Sequence, residues 1–157
     1  EPEVRKAFYE RFEELDKNPL PSFGLAIKGM DSYFILQLKS KDIMEQIFKD
    51  TIPDVFNALD VTVLHSLIFT KILGLSSKSQ EDQENLIYVK GLNETLESLK
   101  GGSHQMAFLL HPTKIEQVKD VANAGYVMPQ KSTYFYPKLL SGLVINSVDE
   151  NEQVASL

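Results

Sequence analysis

The sequence predicts an α/β or α+β fold, with helices packed on a single mixed β-sheet of about five strands. Three observations carry this. Short apolar runs of strand length alternate with segments whose apolar residues recur at helical spacing. A chain of 157 residues that is 43% hydrophobic and 24% charged suits one buried core under a soluble surface. It has no cysteine, so no disulfide framework or thiolate metal centre replaces that core.

Val4, Phe8, Phe12 and Leu15 line one face of an amphipathic helix, which Pro19 and Pro21 stop. Residues 23–28 and 33–38 read as two strands of a hairpin, with turn chemistry at Gly29, Asp31 and Ser32. The second is apolar on both faces at its start, so it is expected to be covered on both sides. Residues 42–48 form a short helix, and 53–59 a second helical segment. Asp60 reads as the N-cap of a helix over residues 61–73, apolar nearly all round and expected to be mostly buried, with Gly74 as its stop.

Residues 75–84 are polar and acidic and read as a mobile loop. Glu81, Asp82 and Glu84 in it are a solvated run. Residues 86–89 are a third strand. Leu92, Leu96 and Leu99 mark a helix ended by Gly101 and Gly102. Residues 105–110 are a fourth strand, apolar on both faces and hence central. Thr113 and Glu116 have capping-box spacing, ahead of a helix whose buried face is Ile115, Val118, Val121 and Ala122 and which ends at Gly125. Residues 139–145 are a fifth strand. Residues 1–147 thus make one module, and 148–157 a flexible acidic tail. Because the first residue is Glu1 and a helix begins at once, the chain is expected to be the C-terminal part of a larger protein.

The net charge of −6 and pI near 5.1 argue against nucleic-acid binding, which needs a basic stripe. No run of about 18 apolar residues exists, so no membrane-spanning helix is expected. The lack of cysteine and of a signal peptide points to the cytoplasm. His65, His104 and His111 lack the spacing of a helical zinc motif, and no metal site is expected. No nucleophile elbow and no Walker loop occur.

The strongest candidate site is Lys131-Ser132-Thr133 with Tyr134 and Lys138. Two ammonium groups, two hydroxyls and loop N–H groups have the chemistry to hold a phosphate. The competing reading is a buried turn with Tyr134, Phe135 and Tyr136 in the core. His65 shares a helix face with Val61, Ile68 and Ile72, where a histidine is usually structural. His111 ends a strand just before a helix N-terminus, where anions bind well. His104 follows Gly101, Gly102 and Ser103 in a turn and reads as exposed.

Four segments carry a family resemblance: Asp60-Val-Thr-Val-Leu-His65, Gln105-Met-Ala-Phe-Leu-Leu-His-Pro-Thr113, Val121-Ala-Asn-Ala-Gly125, and Met128-Pro-Gln-Lys-Ser-Thr-Tyr-Phe-Tyr-Pro-Lys-Leu-Leu-Ser-Gly-Leu-Val-Ile145. Together they resemble the C-terminal half of domain-of-unknown-function family 1015, across residues 4–146. One departure is His111, where the family usually has Asn.

The resemblance implies an N-terminal half, absent here, with a phosphate-handling motif similar to that of the ParB/sulfiredoxin superfamily, some of whose members phosphorylate free serine. It thereby implies a small-molecule phosphotransferase using ATP or ADP with Mg, active only in the full-length protein. In that protein Lys131, Ser132, Thr133, Tyr134, Lys138, His65 and His111 would contact phosphate or nucleotide. This chain alone would hold no cofactor and be inactive; its partners would be the missing half, a small substrate and further copies of itself. The alternative is a non-catalytic scaffold or oligomerisation module.

Overall fold

The computed structural model describes residues 2–102, 104–129 and 132–133. Its sheet has three strands, β1 (Ser22–Ile27), β2 (Tyr33–Gln37) and β3 (Met106–Leu110), in the order β2-β1-β3. Both pairings are antiparallel. The α+β class therefore holds, and the expected mixed sheet is antiparallel among the described residues. The hairpin turns at Gly29, whose φ of 81° is a backbone region that a Cβ disfavours.

β1 lies at the centre, with Phe23 paired to Leu36 on one side and Leu110 on the other. Among the described residues β2 and β3, expected to be covered and central, each pair on one side only, with β1. Phe34 is 36% exposed, and Met106 and Leu110 are 40% and 38% exposed.

Alternation along β1 sends Phe23 to one face and Gly24 and Ala26 to the other. The Phe23 face holds the main core. There α2 (Asp42–Phe48) contributes Met44 and Phe48, and α3 contributes Val63, Leu64, Ile68 and Phe69. α3 starts as an α-helix over Asp60–Thr62 and continues as a π-helix over Val63–Ile72. Burying Met44, Phe48 and Phe69 alone contributes several kcal/mol, at about 1.5–3 each.

On the opposite face, α1 (Pro2–Leu15) buries Phe8 and Phe12, the face its spacing predicted. Phe8 stacks on Tyr33 at 5.0 Å between ring centroids. α5 (Leu92–Gly101) sets Leu96 and Leu99 against Ala26 and Ala107. Gly24 is what lets α1 come this close. A Cβ there would lie 2.7 Å from Phe8 Cζ and 3.1 Å from Leu109 Cδ1.

Several expectations need correction. Residues 86–89 form no strand; Ile87, Tyr88 and Val89 are exposed along a cavity rim rather than paired. Residues 53–59 hold only a 3₁₀ turn, Asp54–Phe56. Asp60 is not a cap: Leu59 takes that place in extended backbone, and Asp60 is the first helical residue. α3 is buried or half-buried over residues 61–70, as expected, and only its last turn is exposed, with Ile72 at 68%.

The polar segment after Gly74 contains a helix, α4 (Ser77–Glu81), capped by Ser76 Oγ accepting from Ser79 N–H at 3.1 Å. Glu81, Asp82 and Glu84 are exposed, as expected. α6 (Ile115–Asn123) begins one residue later than the Thr113 box implies. Its N-cap is Lys114, whose N–H donates to Gln117 Oε1 at 2.8 Å. The fifth strand at 139–145 and the tail at 148–157 lie outside the described residues. Among the described residues, no helix is long and apolar enough to cross a membrane.

Candidate functional site

A cavity of about 830 Å³ opens between β3 and α3. Met106, Phe108 and Leu110 form its sheet wall, and Leu64, His65 and Phe69 its helix wall. Residues 85–89 border one side, and Thr113, Ile115, Gln117, Ser132 and Thr133 border another. This is the size of a small-molecule site, mostly apolar with a few polar groups.

One polar group of side chains gathers where α1, α3, β3 and α6 meet. His111, at the end of β3, has Nε2 3.1 Å from Ser22 Oγ and Nδ1 3.9 Å from Asp16 Oδ1. Its ring stacks on Phe12 at 3.9 Å between centroids. Burial pushes its pKa below the usual histidine value, while Asp16 and Glu13 pull upward and Lys114 downward. Lys114 Nζ pairs with Asp16 Oδ1 at 3.2 Å and donates to the Asp16 carbonyl.

Asp60, at the start of α3, also lines the cavity. Burial raises its carboxyl to about 6, against the pull of Lys114. A carboxyl near that value can exchange a proton at neutral pH.

Thr113 Oγ1 donates to the Ser132 carbonyl and ties the 132–133 segment to the start of α6. The Ser132 hydroxyl donates to the Pro129 carbonyl at 2.5 Å. Its proton is therefore engaged, so it is not free to donate to a phosphate as the sequence suggests, and its oxygen can only accept. Thr133 is exposed on the cavity rim.

The second polar group surrounds His65. Its Nδ1 lies 2.8 Å from Gln80 Oε1. Gln80 is 7% exposed, and its Nε2 donates to Thr70 Oγ1 and to the Leu75 carbonyl, both at 3.0 Å. Thr70 Oγ1 donates in turn to the His65 carbonyl at 3.0 Å. Burial lowers the His65 pKa, and the Gln80 bond opposes it. Tyr88 stacks across the ring at 6.4 Å, and burial raises its phenol pKa.

Four of the seven residues singled out in the sequence (His65, His111, Ser132 and Thr133) therefore line one cavity. Lys131, Tyr134 and Lys138 lie outside the described residues. His104, expected in an exposed turn, is half-buried and lines the same cavity. Sequence reasoning missed Asp60 and Gln80 as site residues. Asp60 stood only as a helix start, and Gln80 sat in a run that composition marks as loop; a lone Gln among Ser, Lys and acids carries no signal of burial. Among the described residues no group of three metal-ligating side chains occurs.

Comparison with family models, with curated proteins and with solved structures gives no match.

Proposed function

We propose that this chain is the C-terminal part of a small-molecule phosphotransferase, acting on a small hydroxy amino acid such as L-serine with ATP or ADP as phosphoryl donor. The observation that carries the reading is the convergence of His65, His111, Ser132 and Thr133 on one cavity, together with Asp60. Phosphoryl transfer asks of a protein mainly positioning and charge stabilisation. The first turn of α6 lines the cavity through Ile115 and Gln117, and its N–H groups and dipole favour an anion. Thr133 offers a hydroxyl to the same cavity, and Lys131 and Lys138 lie two and five residues from it in sequence.

The resemblance to domain-of-unknown-function family 1015 supports the same chemistry and a catalytic contribution from an N-terminal half. Magnesium would accompany the nucleotide. The alternative, a scaffold or oligomerisation module, would leave the cavity without a ligand.

A thermal-shift titration of the full-length protein with ATP, ADP and L-serine, singly and paired, tests the reading. A ligand at 100 times its Kd adds about 2.7 kcal/mol. No shift with any of them, alone or together, rejects it.

A further inference from the structure

We infer that His65 Nε2 is the hydrogen-bond acceptor that selects the cavity's ligand, and that this ligand presents a neutral hydroxyl to it. Gln80 is the positioning residue. The inference deepens the phosphotransferase reading and rests on it only for the choice of L-serine among the probes.

The Leu75 carbonyl can only accept. The Gln80 atom 3.0 Å from it must therefore be the amide nitrogen. The second amide proton goes to Thr70 Oγ1, whose own proton is committed to the His65 carbonyl. With both amide protons placed, the atom facing His65 Nδ1 at 2.8 Å is the carbonyl oxygen. A flipped amide would set two oxygens against each other at Leu75. Nδ1 must then carry the proton, and in the neutral ring Nε2 is left with the lone pair.

Among the described residues, Nε2 has no hydrogen-bond partner, and His65 lines the cavity. The ring is held in place by Phe69 edge-on at 5.2 Å and Tyr88 stacked at 6.4 Å. A fixed acceptor in an apolar cavity rejects a ligand that cannot donate to it, because the lone pair would stay desolvated and unpaired. The burial that disfavours an imidazolium also disfavours an unpaired ammonium placed beside Nε2. The favoured donor is thus uncharged, and of the uncharged donors the O–H is the one proposed.

The test is ring ¹⁵N NMR of His65 in the full-length protein, assigned by loss of its signals in His65→Asn. The free protein should show a protonated Nδ1 and a bare Nε2. L-serine, glycerol and ethanolamine are then titrated against L-alanine, which lacks the hydroxyl. At least one hydroxyl compound should move the Nε2 resonance, and L-alanine should not.

Gln80→Leu removes the acceptor at Nδ1 and should leave a mixture of tautomers. Should that variant fail to fold, the wild-type measurement still decides. A protonated Nε2 in the free protein, an Nε2 indifferent to every hydroxyl compound, or an equal response to L-alanine overturns the inference. If glycerol or ethanolamine moves Nε2 while L-serine does not, the serine phosphotransferase reading falls and the role of His65 stands.

Discussion

His111 lies flat on Phe12, with 3.9 Å between ring centroids and 17° between planes. Phe12 belongs to α1 and is 3% exposed. Its partner ends β3 and reaches Ser22 at the start of β1 through Nε2. One ring thus joins α1, β1 and β3, and places the end of β3 where the cavity meets α6. The change His111→Gln, whose amide reaches about as far as Nε2, keeps a polar group in reach of Ser22 but removes the stacked ring. An aromatic pair of this kind is worth about 0.5–1.5 kcal/mol beyond its buried area. Urea denaturation should show a loss of at least that size, with an unchanged slope. An unchanged midpoint would mean that the stack contributes nothing.

The titratable groups lining the cavity set opposite trends in stability with pH. His65 and His111 are held below the ordinary histidine value of 6.5, in both cases chiefly by burial. For such groups the folded state prefers the neutral ring. Their contribution is complete above pH 6.5 and is lost as pH falls through the lower folded values. The share of the two histidines should therefore lower the melting temperature between pH 7 and pH 5, against the opposing share of Asp60. His65→Asn, with no imidazole to protonate, should flatten part of that drop; an unchanged profile would place the sensitivity elsewhere.

Asp60 runs the other way. Its folded value, about 6 against 3.8, means that the folded state prefers the protonated acid. That preference stabilises below pH 3.8 and is lost as pH rises through about 6. Asp60→Asn should therefore match the wild type near pH 4 and exceed it at pH 8. The gain expected is about 1–2 kcal/mol, since a two-unit displacement is worth about 2.7 kcal/mol at full burial and the residue is only partly buried. Thermal melts of both proteins at the two pH values check this. A gain equal at pH 4 and pH 8 would show that the carboxyl is not the cause.

Gln80 holds the segment after α3 to α3 itself. Gln80→Ala leaves the Leu75 carbonyl and His65 Nδ1 without their partner. A buried group left unsatisfied costs about 1–3 kcal/mol. Hydrogen exchange should quicken over residues 76–85 first, because the other anchors of α4 are at the surface: the Ser76 cap and the Asn85 bond to Ser79 Oγ at 3.0 Å. Uniform quickening across the whole chain would instead assign Gln80 to the global core.

The contrast between Gln80 and Phe8 shows what the sequence makes legible. Phe8 is one of four apolar residues at helical spacing, so its burial repeats a pattern that any such face follows. The limits of α2, and β1, β2 and β3 to within one residue, follow from equally regular patterns and turn residues. Gln80 is buried by three hydrogen bonds to partners 5, 10 and 15 residues away, and no local pattern encodes that. The 86–89 run failed for a related reason. Leu-Ile-Tyr-Val has strand propensity, but a strand also needs a partner, and partner choice is not written in the run itself. The lining of the candidate site was legible as residue types, in His65, His111, Ser132 and Thr133. The carboxyl of Asp60 was not, because its displaced titration depends on burial by distant segments.

Gly24 tests how tightly α1 is seated on the sheet. Ala at this position would place Cβ 2.7 Å from Phe8 Cζ and 3.2 Å from Leu109 Cβ. Phe8 cannot swing away freely, because it stacks between Phe12 at 6.1 Å and Tyr33 at 5.0 Å. Gly24→Ala should therefore cost about 1–3 kcal/mol of overpacking, although Ala suits a strand better than Gly does. Phe8→Leu shortens the opposing side chain and opens a gap at the ring tip. Each single change should destabilise, and the double variant should lose less than the two losses added, with a coupling of about 0.5–3 kcal/mol. Chemical denaturation of the four proteins in that cycle measures it. Additive losses would mean that helix and sheet are not in contact at this point, and the close approach of α1 to β1 would have to be abandoned.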